Sequence, residues 1–311
     1  MVSRRSFLTT TMLASGAFLT RPLSTFAEGP RGENIRAMRP LLDEATDCCL
    51  WACWLGHSTV LLRMSGKWVL TDPVLFSTYG ISVLGVTLGP RRIAPPALSV
   101  DDLPQPDLVL LSHAHMDHMD RQTLRALTDR WPGAIDVVTA VHTADVIEDL
   151  PWRSVNELDW GDRAKHHGLE IEGLRVRHNG WRIPGEPCRA NGQVRTGRSF
   201  NGYKIEAGGV RVVFGGDSAY TASFGEIRGG TDLAIMPIGA YGGYPDTHCT
   251  PEEALGMAEM MNARMIMPIH HSTFRLSDEP LADPMRRLLA AQRRSFTKLA
   301  ITGLGGTVGM V

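Results

Sequence analysis

The sequence predicts an α/β protein built from two mixed β-sheets with helices packed on their outer faces. Three observations carry this expectation. Short apolar segments bounded by turn residues recur from Leu50 onward, two pairs of them close on glycine-containing turns, and helical segments with clear start signals are inserted between them. The composition suits a globular chain: 311 residues, 43% hydrophobic and 21% charged. With 32 basic against 33 acidic residues there is no cationic excess of the kind that marks nucleic-acid binding, and no such partner is expected. Cys48, Cys49, Cys53, Cys188 and Cys249 contain no Cys-x-x-Cys pair, which argues against a disulfide scaffold or a cysteine zinc knuckle.

Taken in order, residues 1–27 read as an address. Arg4-Arg5 stand directly before Ser6-Phe7-Leu8 and an uncharged apolar run to Leu19, shorter than the ~20 residues of a membrane-spanning helix. This is the form of a twin-arginine signal, which exports proteins already folded, and it predicts a periplasmic or otherwise exported product. Cleavage is expected after Thr25-Phe26-Ala27, with Ser15-Gly16-Ala17 competing, and leaves 29 basic against 33 acidic residues. Residues 28–49 read as a polar leader. Residues 50–311 read as one domain, because no Pro/Gly/Ser-rich linker and no solenoid-type repeat interrupts them.

Within that domain, residues 58–64 and 67–71 flank Ser65-Gly66 and predict a hairpin. Residues 75–96 form an apolar connection ending near Arg91-Arg92; a packed cover for the core and the lining of an acyl-chain site explain it equally well. Residues 106–112 hold a continuous apolar strand, followed by a helix over 120–130 with Asp120 as N-cap. A strand over 136–140 and a short helix over 143–150, stopped by Pro151, complete this half. A second hairpin joins 203–206 to 210–214. A strand at 233–238 precedes Thr250-Pro251-Glu252-Glu253, a helix start with N-cap, proline and capping glutamate in register, and the helix runs to about Asn262. A strand at 264–269, a helix at 280–294 and strands at 298–302 and 307–311 close the chain.

The chemistry concentrates where the apolar strand meets the first helix. Ser112-His113-Ala114-His115-Met116-Asp117-His118-Met119-Asp120 crowds three imidazoles and two carboxylates into one loop, a costly arrangement unless a cation binds there. Neutral imidazole and carboxylate oxygen are ligands preferred by zinc and comparable divalent ions. A tight loop after a rigid strand can turn alternate side chains to one side, so that His113 and His115 share one ion while Asp117 and His118 face a second.

His-x-His-x-Asp-His after an apolar strand resembles the metallo-β-lactamase superfamily, whose members fold as an αβ/βα sandwich with a metal site at one edge of the two sheets. Further ligands should then follow at later strand ends, and His178, Asp217 and His270 stand at such positions. The resemblance implies two divalent metal ions, zinc by ligand type. It implies that His113, His115 and His178 hold one ion, that Asp117, His118 and His270 hold the other, and that Asp217 bridges them. His166 and His167 compete with His178 but sit among charges, as surface residues would. His271 should point to the face opposite His270, and His142 lies beyond a different strand. Asp72 ends a strand and is expected to accept the second ring N–H of a metal-bound histidine. His57 is near the site by resemblance.

Further segments narrow the likeness. Trp54-Leu55-Gly56-His57-Ser58-Thr59, Thr71-Asp72-Pro73, Gly89-Pro90-Arg91-Arg92, Gly215-Gly216-Asp217-Ser218, His248-Cys249-Thr250-Pro251 and Ile269-His270-His271-Ser272-Thr273-Phe274 resemble the N-acylphosphatidylethanolamine phospholipase D branch. The ascorbate-6-phosphate lactonase-like branch shares the metal motif and Trp-x-Gly-His-x-Thr. The implied function is hydrolysis of a phospholipid phosphodiester by a hydroxide bridging two ions, with Asp117 essential and His248 donating a proton or binding a phosphoryl oxygen. Lactone hydrolysis, or a non-catalytic envelope role on the same fold, are the alternatives. The expected partners are a small-molecule or phospholipid substrate and a transient membrane-surface contact.

Overall fold

The computed structural model describes residues 35–189 and 197–311. The export-signal reading of residues 1–27 therefore lies outside the described residues. In chain order the strands are β1 (Leu50–Gly56), β2 (Thr59–Met64), β3 (Lys67–Thr71), β4 (Ile81–Val83), β5 (Val86–Leu88), β6 (Leu108–Leu111), β7 (Asp136–Ala140) and β8 (Ser154–Leu158). They continue as β9 (Arg163–His166), β10 (Leu169–Leu174), β11 (Gly202–Ala207), β12 (Val210–Phe214), β13 (Thr231–Pro237), β14 (Ala263–Ile269), β15 (Lys298–Leu299) and β16 (Thr307–Met310). The α-helices are α1 (Arg121–Arg130), α2 (Pro251–Met260) and α3 (Asp283–Gln292).

Two seven-stranded sheets result, ordered β16-β1-β2-β3-β6-β7-β8 and β15-β14-β13-β12-β11-β10-β9. Each is antiparallel at one end and parallel at the other: β3, β6, β7 and β8 run together, as do β12 to β15. Alternation along β1 shows how both faces are filled. Leu50, Ala52 and Trp54 turn inward and meet Tyr203, Ile205 and Phe214 of the second sheet. Trp51, Cys53 and Leu55 turn outward and pack with Leu124 and Leu127 of α1. On the second sheet Val213, Ala234 and Met236 face outward against Ala254, Leu255 and Ala258 of α2 and Leu288 of α3. The layers are therefore helix, sheet, sheet, helix, and burial on both faces explains why β6 and β13 read as continuous apolar runs.

Local chemistry explains the boundaries. The β2–β3 hairpin closes on Ser65 (φ 48°) and Gly66 (φ 76°), a two-residue turn with both φ values positive. Asp120 accepts from the Thr123 amide at the start of α1, and Thr250 and Glu253 form a reciprocal capping box at the start of α2. The helix expected over 143–150 shrinks to a single 3-10 turn at Ala144–Val146. The reason is competition: the Thr143 hydroxyl donates back to the Ala140 carbonyl, and Glu157 Oε1 takes the amides of Thr143 and Ala144.

The expectations for residues 28–49 and 75–96 also change. Of the leader, residues 35–49 join the folded unit: Ala45 is fully buried, Ile35 packs against the inter-sheet core, and the Cys49 amide donates to Met310. Residues 75–96 do not form a packed cover throughout. Their middle is the small hairpin β4–β5, which stands apart from both large sheets with its aliphatic side chains exposed. Among the described residues no helix is long and apolar enough to cross a membrane.

Candidate metal centre

Because β3, β6, β12 and β14 are parallel within their sheets, their carboxyl ends reach one edge of the sandwich, and the residues just past those ends face one another. Asp72 follows β3, His113 follows β6, Asp217 lies beyond β12 and His270 follows β14. The turn after β1 adds His57, and the segment after β10 adds His178. The two sheets are tied together here, where the Asn201 amide donates to the Ser112 carbonyl. Gly216 must be glycine: φ is +57°, and a Cβ would sit 2.8 Å from the Asn201 oxygen and from the Ser112 Cβ. His57, Asp72 and His270 also hold positive φ (53°, 31° and 61°), a conformational cost that the surrounding packing sustains at the site.

Two groups of donor atoms result. His113, His115 and His178 form one, with His178 Nε2 3.3 Å from His115 Nδ1. Asp117, His118 and His270, together with His57, form the other. Asp217 Oδ2 stands between them, 3.1 Å from His118 Nε2, 3.2 Å from His270 Nε2 and 3.8 Å from His178 Nε2. All seven residues expected as metal ligands are thus brought to one place. His248 joins them, its Nε2 3.1 Å from Asp217 Oδ2.

The donor set fits divalent cations. Nε2 of His113, His118 and His270 and Oδ1 of Asp217 are buried without a directed hydrogen bond, which would be costly if nothing else ever satisfied them. The opposite ring nitrogens of three ligand candidates are held by the protein. Asp72 Oδ2 lies 2.7 Å from His118 Nδ1 and also accepts from the Ser112 hydroxyl, while its Oδ1 takes the Ser112 amide. The Ser112 hydroxyl lies 2.8 Å from His113 Nδ1, and the Thr247 carbonyl accepts from His178 Nδ1 at 2.9 Å. On His115 the roles of the nitrogens reverse: Nε2 is held by Asn179 Oδ1 at 2.9 Å, and Nδ1 faces the other donors. Such contacts fix the tautomer and leave the free nitrogen aimed at a cation.

The electrostatics agree. Burial lowers His115 to about 4, and burial with the neighbouring His270 lowers His57 to about 3, so both rings are neutral near pH 7. Burial likewise drives His113 and His178 well down. For Asp117 burial opposes ionisation, but the imidazoles of His118 and His57 overcome it and hold the carboxyl well below the ordinary range. Asp217 is held down in the same way by His118, His270 and His248. His118 alone is pushed up: burial works against its charge, yet the carboxylates of Asp217 and Asp117 win. The neutral rings of His113, His115 and His178 suit a divalent ion, the carboxylates demand positive charge, and an ion at His118 would displace the proton that Asp217 and Asp117 otherwise hold there.

Of the other histidines, His271 is buried outside the donor groups, stacked on the Trp54 ring at 4.5 Å. His166 and His167 are not simple surface residues as expected. They pack at Asp136, 3.2 Å and 3.0 Å from its Oδ2, where Arg153 also pairs with the carboxylate. Sequence reasoning missed several neighbours of the site. Asn179 and Ser112 adjoin His178 and His113 in the chain, so a polar residue beside each ligand candidate was the available signal. Trp181, its ring 4.6 Å from His115, and Phe274, 5.2 Å from His57, carry no such signal.

Two mixed sheets between helices, with a His/Asp donor set at the shared strand edge, define a metal-dependent hydrolase of the metallo-β-lactamase fold. The chain belongs to that superfamily: the profile of the beta-lactamase superfamily domain matches residues 67–271. Its relatives include an uncharacterized protein of Mycobacterium tuberculosis, 35% identical over 257 residues that cover 80% of this chain and 65% of that protein. They also include the N-acyl-phosphatidylethanolamine-hydrolyzing phospholipase D 1 of Caenorhabditis elegans, 28% identical over 241 residues, covering 72% of this chain and 64% of that one. The chain thus spans just under two thirds of the length of these curated relatives. Among solved structures, the isothiocyanate hydrolase from Delia radicum gut bacteria superimposes with a TM-score of 0.63 at 18% identity, covering 84% of this chain and 98% of that one.

Proposed function

We propose that this protein is an exported hydrolase that uses two divalent metal ions, zinc by preference, to cleave the phosphodiester bond of a phospholipid. The observation that carries the reading is the position of Asp217 Oδ2 between two groups of donors, with His248 Nε2 3.1 Å from the same oxygen. His113, His115 and His178 would hold one ion, Asp117, His118 and His270 the other, and Asp217 both. Ions bound there would lower the pKa of water towards ~7 and polarise a phosphoryl or carbonyl oxygen.

The chain's own groups do the rest. Asp72, Ser112, Asn179 and the Thr247 carbonyl keep the ligating nitrogens aimed inward. The His57 ring, 3.1 Å from Asp117 Oδ2, orients that carboxylate. His248, less enclosed than His113, His118, His178 and His270, is placed to hydrogen-bond a phosphoryl oxygen or to return a proton to the departing alcohol. The phospholipid class is supported by the relatives named for N-acyl-phosphatidylethanolamine hydrolysis and by the branch segments from Trp54 to Phe274. Export rests on Arg4-Arg5 and the apolar run that follows.

The test is a substrate screen on zinc-loaded protein, with metal content measured on the same sample. Hydrolysis of aryl phosphodiesters and N-acylated phosphatidylethanolamine supports the proposal. Lactone opening without phosphodiester cleavage replaces it with the lactonase reading, with which Trp54-x-Gly56-His57-x-Thr59 is equally consistent, and absence of bound metal replaces it with a non-catalytic role.

A further inference from the structure

The β4–β5 hairpin presents its chemistry in the wrong direction for a soluble protein. Its cross-strand pairs are Ile81 with Leu88, Ser82 with Thr87 and Val83 with Val86. Side chains alternate across a strand, so Ile81, Val83, Val86 and Leu88 share one face and Ser82 and Thr87 the other. The polar face is the one tied to the body of the protein: the Ser82 and Thr87 hydroxyls are 3.0 Å apart, and Thr87 donates to Gln122 of α1. The apolar face is left to solvent, its four side chains 50–60% exposed. The tip residue Leu84 is fully exposed at φ +49°, a conformation and a position that favour Asn, Asp or Gly. Leu84 therefore carries a backbone cost and a hydration cost together, and among the described residues no contact repays either.

The hairpin is held in place beside the metal centre. At its neck the backbones approach so closely that a Cβ on Gly80 would lie 2.2 Å from the Leu88 oxygen, and one on Gly89 2.0 Å from the Tyr79 oxygen. Tyr79 packs on Phe274 at 4.8 Å, and Phe274 on His57 at 5.2 Å, within a small cluster that includes Met116 of the metal loop. No charged residue stands between Asp72 and Arg91, and Arg91 is exposed at the end of this uncharged run, where Thr78 pairs with it.

We infer that the β4–β5 hairpin is a membrane-docking tongue, which sinks Ile81, Val83, Leu84, Val86 and Leu88 into the surface of a phospholipid bilayer and brings Arg91 to headgroup phosphate. The inference deepens, and in its purpose rests on, the phospholipid reading of the site. Two arguments select a lipid surface as the occupant. Five aliphatic side chains, four of them about half exposed, fall short of the roughly 800 Å² per partner that a stable dimer buries. An uncharged apolar tip with a cation at its base also matches the polarity gradient of an anionic membrane surface. Docking there holds the metal edge against the layer that contains the substrate.

The test is flotation of the full-length Asp117→Ala protein with phosphatidylcholine vesicles, with and without phosphatidylglycerol. That background has no expected turnover, so a wrong substrate assignment leaves the binding result standing. Every variant carries the same amino-terminal segment, whose contribution cancels. Leu84→Asn is expected to weaken vesicle binding about tenfold or more while leaving the melting temperature unchanged or higher. The pair Val83→Ser and Val86→Ser should weaken it further, and Arg91→Gln should act only on phosphatidylglycerol vesicles. Equal binding by all variants overturns the inference. So does a wild-type protein that ignores vesicles but forms a dimer that Leu84→Asn dissolves, since the occupant is then a second copy.

Discussion

At the scale of single residues, the centre depends on pairs in which one group binds and another aims it. Asp117 illustrates the first role. It is half-buried, ionised against the cost of burial by His118 and His57, and belongs to the second donor group, 3.1 Å from His57 Nε2 and 3.7 Å from His118 Nε2. Asp117→Ala should lower kcat at least about a hundredfold, since loss of a mere outer partner of a metal ligand typically costs 10–100-fold. The check is steady-state kinetics beside a melting curve and a metal count: lost turnover, one ion fewer, fold intact. Asp72 illustrates the second role, with no exposure and three contacts, to the Ser112 amide, the Ser112 hydroxyl and His118 Nδ1. Asp72→Asn should weaken metal affinity about 10–100-fold, read by competition with a chelator, without removing a ligand. Both residues are legible from the sequence, Asp117 from its motif and Asp72 from its place at a strand end. Asn179 offers only its place beside His178, because its contact with His115 exists only once the loop after β10 folds across the loop after β6.

At the scale of elements, the short helices and strand ends that frame the site rest on identifiable polar contacts. The Thr250 hydroxyl accepts from the Glu253 amide, Glu253 returns a contact to the Thr250 amide, and α2 begins directly after His248 and Cys249. Thr250→Ala should cost about 1 kcal/mol in urea unfolding, with no change in the slope of the transition. At the far edge of the first sheet, Asp136 links β7 to β8 and to β9. Burial raises the pKa of its carboxyl, but the hydrogen bonds from Arg153, Ser154 and His166 outweigh that and hold it below the ordinary value. A depressed folded-state pKa stabilises the fold above the unfolded value near ~4 and is lost as pH falls through the folded value. Wild type should therefore lose stability on acidification below about pH 4. Asp136→Asn should be weaker by about 1–3 kcal/mol at neutral pH and show a shallower acid dependence in urea titrations. The strands and capped helices are readable because periodicity and caps are local. The 143–150 segment misleads for the same reason: Glu157, a distant residue in sequence, takes the amides that a helix needs.

At the scale of the whole molecule, both sheets contribute to one edge, so the ligand set closes only when the sandwich does. His113, His115 and His118 belong to one half of the chain and Asp217 and His270 to the other. Metal should therefore bind the folded state in preference to the unfolded one. At a free concentration one hundred times its Kd it would add about 2.7 kcal/mol, so chelation should lower the melting temperature by about 5–10 °C, reversibly on zinc addition. An unchanged melting temperature would mean that no ion links the two halves. The sequence by itself indicated the class of fold, the two glycine-turn hairpins, the strand and helix that flank the 113–120 loop and the capped start of α2, because alternation and turn chemistry are local properties. The full set of seven residues came from the family resemblance, and β4, β5, β8 and β9 were not read. Only the tertiary structure decided which ring nitrogen is held and which is free, that residues 35–49 belong to the folded unit, and that residues 81–88 turn their polar side inward and their apolar side out. Those outcomes depend on contacts between segments far apart in the chain, which no local pattern encodes.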